Sequence, residues 1–97
     1  MPHPLLAALF AHYPTILATY FARGSRFESH EFIQKLARDN QADYIRMLNH
    51  YVGKPAPFKL LHRQLSRHLH DYAHQIGRRV STDIFGDDVS NSYWEHN

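Results

Sequence analysis

The sequence predicts an all-α protein, a single domain of four main helices with the first one kinked and an irregular C-terminal extension. Three observations predict it. Apolar residues recur at alternating spacings of three and four along most of the chain as far as Ile76. No segment sustains the two-residue alternation of β-branched residues that marks a strand. Glycine and proline fall where helices would end or begin. With 97 residues, 43% of them hydrophobic, the chain can build one core, burying roughly two thirds of its unfolded surface, and has no room for a second domain.

The first helix is expected from Pro4, whose missing amide suits a first turn, with Leu5, Leu6, Leu9 and Phe10 starting its apolar face. Pro14 removes a backbone donor inside the pattern, so a kink or restart is expected there. Ile16, Leu17, Tyr20 and Phe21 then continue the face up to Gly24, a residue suited to a left-handed cap. A second helix is expected from Ser25, which has capping-box spacing to Glu28, and buries Phe32, Ile33 and Leu36. Asn40 with Asp43 repeats the cap-like spacing and opens a third helix through Tyr44, Ile45, Leu48, Tyr51 and Val52, ended by Gly53. Lys54 to Pro57 is a short rigid link. The fourth helix is expected over 57–76: Phe58, Leu61, Leu65, Leu69, Tyr72 and Ile76 form its apolar stripe, and Lys59, Arg63, Arg67, His70 and His74 keep the same rhythm about a third to half a turn away.

After Gly77 the pattern fails. The division is therefore a helical domain over 1–80 and an acidic tail over 81–97, docked through the anchors Ile84, Phe85 and Trp94. Charge follows the same division. Residues 54–80 hold six Lys and Arg against Asp71, a net +5, whereas 81–97 hold four acids and no Lys or Arg, a net −4. The basic stripe, extended by Arg78 and Arg79, is thus followed directly by acid that would soften its potential.

Composition excludes several chemistries. Without cysteine there are no disulfides, no thiolate nucleophiles and no sulfur-ligated zinc, and a reducing, cytoplasmic setting is the natural one. No basic segment followed by a long apolar run opens the chain, and nothing approaches the roughly 18 apolar residues of a membrane span, so no membrane partner is expected. Nine histidines invite a metal, and His70-Asp-Tyr-Ala-His74 superficially resembles a zinc-protease helix. However, Asp is shorter than the Glu such a site uses as base, and no third ligand stands at a meaningful spacing. Ser29-His30-Glu31 cannot be a catalytic triad, because neighbours on a helix point about 100° apart. Glu28, Glu31 and Asp43 instead suit first-turn positions near a helix dipole. With no nucleophile, no paired acid and base and no phosphate-binding glycine loop, the expectation is no enzyme, no cofactor and no metal.

Phe27-Glu-Ser-His-Glu-Phe-Ile33, Pro57-Phe58 with His62, and Asp83-Ile-Phe-Gly86 followed by Trp94 resemble small, uncharacterised, all-helical bacterial proteins. The resemblance implies a bacterial family of unknown function and transfers no site.

Two surfaces remain as functional candidates. Leu5, Leu6, Leu9 and Phe10 belong to a nearly continuous apolar run, which needs cover on more than one side. Self-association or another protein would supply that cover, as would a central position wrapped by the other helices. The leading expectation is therefore a non-enzymatic protein-interaction module. The alternative is a nucleic-acid-binding protein that uses the basic face Lys59, Arg63, Arg67, His70, His74, Arg78 and Arg79.

Overall fold

The computed structural model describes residues 3–82 and 85–97. Helices α1 (Pro4–Phe10) and α2 (Tyr13–Tyr20) come first, followed by strand β1 (Arg26–Glu28). Then come α3 (Ser29–Asp39), α4 (Gln41–His50), α5 (Pro57–His68) and a 3-10 turn (Leu69–Asp71). Strands β2 (Ala73–Thr82) and β3 (Asp88–His96) end the chain. The strands form one antiparallel sheet in the order β1-β3-β2. The fold is accordingly α+β, and the expectation of an all-α helical bundle is corrected.

The reason lies after His68. Leu69, Tyr72 and Ile76 continue the helical spacing by coincidence. Leu69 is buried in the 3-10 turn, Ala73 opens β2, and Ile76 is the extra residue of a bulge between Gln75 and Gly77. The predicted helix 57–76 therefore ends eight residues early. The C-terminal stretch beyond the bulge is rich in Ser, Thr, Asn and Asp, which compete with helix formation, and carries Val80, Val89, Tyr93 and Trp94, which suit a pleated surface. The supposed irregular extension contains the central strand. Trp94 stands opposite Phe27 on one side and Gln75 on the other.

Other boundaries shift for local reasons. The chain restarts at Pro14: α1 ends at Phe10, and Pro14 sits in the first turn of a separate α2 where its missing donor costs nothing. The helix expected from Ser25 begins at Ser29, since 26–28 pair with β3, and the capping box forms between Glu28 and Glu31 instead of between Ser25 and Glu28. Asn40 joins α3 to α4, but its side chain donates to the Leu36 carbonyl and leaves α4 uncapped.

The helices pack on one another and on the inner sheet face. Tyr13 is fully buried and its hydroxyl donates to the Leu65 carbonyl, tying α2 to α5. Trp94, 1% exposed, lies among the core residues, and its Nε1 donates to Ser29 Oγ at 2.7 Å. Ser29 Oγ in turn meets Ser66 Oγ at 2.7 Å, so one buried polar chain joins β3, α3 and α5. Leu6 and Leu9 are buried, and Leu5 and Phe10 pack partly buried against the core. Among the described residues, no helix is long and apolar enough to cross a membrane.

Candidate functional site

Helix α5 and the β2–β3 hairpin enclose a cleft of about 690 Å³. Leu61 and Leu65 anchor α5 in the core. Moving round the helix from that stripe, Phe58, His62 and Ser66 form the cleft wall, and Lys59, Arg63 and Arg67 form its rim. His70, on the 3-10 turn, extends the wall and meets Trp94 edge to face at 4.7 Å between ring centres.

The hairpin supplies the opposite wall through its bulge. Ser92 and Trp94 are two apart on β3 and so share a face, and their partners on β2 are Arg78 and Gln75. Those two are three apart, a spacing that would put them on opposite faces of a regular strand. The extra residue, Ile76, brings both onto the cleft side. Arg78 donates to Ser90 Oγ at 3.2 Å and to Ser92 Oγ at 3.1 Å, which fixes its position without neutralising it. At one end Phe58 and Phe85 meet edge to face, 4.8 Å apart and at 83°, with Phe85 59% exposed.

Electrostatically the cleft is one-sided. Lys59, Arg63, Arg67 and Arg78 line it, with His30, His62 and His70, and no described Asp or Glu does. Lys59, Arg63 and Arg67 form no ion pair with any described residue. Asp87 and Asp88 are exposed and stand outside the lining; Asp83 and the anchor Ile84 lie outside the described residues.

The predicted basic face is thus divided. Lys59, Arg63, Arg67, His70 and Arg78 come together at the cleft. Arg79, next along β2, points to the other sheet face, where it bonds Glu28 at 2.8 Å and covers the Tyr93 ring at 4.2 Å. His74 is exposed on β2 opposite Glu95, on a different element from His70, so the two histidines do not share a helix face. No group of three or more His, Asp or Glu among the described residues is arranged to hold a metal ion. Of the tail anchors, Trp94 is the cleft's floor and Phe85 its exposed end wall.

Several cleft residues had no sequence signal, because a helix assigned through Ile76 hides the whole β2 wall. His30 is another. Its Nδ1 is buried with no hydrogen-bond partner and lies 3.9 Å from Glu28 Oε2. An unsatisfied buried nitrogen of this kind costs about 1–3 kcal/mol. Burial by itself would raise the Glu28 carboxyl. Hydrogen bonds from Arg79 and Ser81, with the charges of Arg79 and His30, outweigh it and hold the group below the ordinary carboxylate value.

No protein-family model matches the chain, and neither a curated protein nor a solved structure shows significant similarity to it.

Proposed function

We propose that this is a cytoplasmic, non-enzymatic protein that binds a single-stranded nucleic acid in the cleft between α5 and the hairpin. The observation that carries the reading is a lining with four Lys and Arg on two walls and no described carboxylate. Lys59, Arg63 and Arg67 are four residues apart, so they repeat about every 6 Å along the helix axis, close to the separation of successive phosphates in an extended strand. Phe58, Phe85 and His70 offer rings on which unpaired bases stack. A neutral peptide would leave the cations unanswered.

Charge reversal tests this. Arg63→Glu with Arg67→Glu changes two exposed positions, so the fold, followed by circular dichroism, is expected to persist. Affinity for a labelled single strand of about ten nucleotides is expected to fall about tenfold or more. Arg38→Glu with Arg46→Glu makes the same change in net charge away from the cleft and should leave affinity nearly unchanged. Equal losses in both variants would reduce the cleft to a non-specific charge effect.

A second reading, a protein-interaction module, draws on a different observation. Strand β2 is an edge of the sheet, and Val80 on it is 72% exposed, a surface suited to an added strand or a second copy. The two readings separate cleanly, because only the first depends on Arg63 and Arg67. On α1, Leu6 and Leu9 are buried in the core, whereas Leu5 and Phe10 are partly buried against it and keep some surface that a protein partner could cover.

A further inference from the structure

We propose that His30 is a proton-dependent anchor for one phosphate of the bound strand, with Glu28 as its fixed counter-charge; this rests on the reading of the cleft as a nucleic-acid site. The ring lines the cleft, its Nδ1 is buried beside the Glu28 carboxylate without a hydrogen bond, and Nε2 is the nitrogen left for a ligand.

Each neutral tautomer fails on one side. With the proton on Nε2, the Nδ1 lone pair faces a carboxylate. With the proton on Nδ1, the Nε2 lone pair faces the anionic oxygen of the ligand. Only the imidazolium donates in both directions, to Glu28 behind and to the phosphate in front.

Charged groups from several elements share the cleft with this ring. From α5 the cleft brings Lys59, His62, Arg63 and Arg67, from the 3-10 turn His70, and from β2 Arg78, while β3 contributes no charged side chain to the lining. Behind the ring stand Glu28, already bonded to Arg79 and Ser81, and Glu31, whose carboxylate accepts from the Glu28 amide. A phosphate bound in front of the ring adds a second acceptor that only the imidazolium can satisfy together with Glu28, so the protonated ring gains a partner on binding, and acid tightens binding.

The test compares affinities for a labelled single-stranded oligonucleotide near pH 6 and near pH 8, either side of ordinary imidazole titration. The unmodified protein is expected to bind roughly five- to tenfold tighter at the lower pH. His30→Gln should lose most of that gain, while His74→Gln, exposed on β2 outside the cleft lining, should retain it. Calorimetry of the unmodified protein in two buffers of different ionisation heat should find net proton uptake on binding. A His30→Gln variant with the full acid gain, or binding without proton uptake, overturns the anchor and leaves the cleft reading intact. Absence of binding at both pH values overturns both.

Discussion

Histidines at two positions, 68 and 30, do different work because their surroundings differ. His68 stacks on Phe10 at 3.7 Å between ring centres and meets Tyr13 and Tyr72 edge to face, with Asp71 at 3.5 Å. Burial lowers its pKa, and the Asp71 charge offsets only part of that. The folded state therefore favours the neutral ring. Its contribution is complete above the unfolded-state value of about 6.5 and is lost as pH falls through the depressed folded value. Thermal melts should give a lower Tm at pH near 5.5 than near 7.5, and His68→Phe, which keeps the stack without the titration, should flatten the difference. An unchanged pH slope in that variant would remove His68 from the account. Glu28 acts in the same direction at lower pH: its stabilising contribution is present above the ordinary carboxylate value and fades below it. At this scale the sequence was legible where a side chain's role follows from hydrophobicity, as for Leu61, Leu65 and Trp94. It was silent on His30, whose role depends on a carboxylate positioned by a capping box and on two bonds from β2.

The decisive element is β3. It pairs with both other strands, and its Trp94 side chain fills the core beneath α3 and α5. Removing 81–97 takes away the middle of the sheet, leaves β1 and most of β2 without partners and opens a Trp-sized cavity, for which about 3–5 kcal/mol is the usual cost of the side chain alone. A chain ending at Val80 is expected to lose cooperative thermal unfolding, whereas a dispensable tail would leave the transition in place. Periodicity did reveal the helical half, including α3, α4 and the start of α5. It missed the strands because β2 continues the helical rhythm through Ile76, the bulge breaks the two-residue alternation, and β3 buries one large residue among serines and an asparagine. Strand pairing is non-local: Phe27 finds Trp94 across most of the chain, and no local pattern encodes that.

Over the whole molecule, charge is arranged more sharply than the net +2 suggests. The basic segment forms one wall of the cleft through α5 and, through β2, shares the other with β3 of the acidic segment. The described acids of the hairpin turn stay out of it, and Arg78 is turned in. The +5 and −4 blocks were visible in the sequence, but their relation was not, because the bulge decides which of Arg78 and Arg79 faces the cleft and which meets Glu28. The central claim is that this cleft holds a phosphate backbone, and salt dependence tests it most directly. Titrating a labelled single strand at several salt concentrations should give a linear fall of log affinity with log salt. If Lys59, Arg63, Arg67 and Arg78 all neutralise phosphates, its slope should be about −2 to −3. A slope near zero, or no binding at low salt, would contradict the claim.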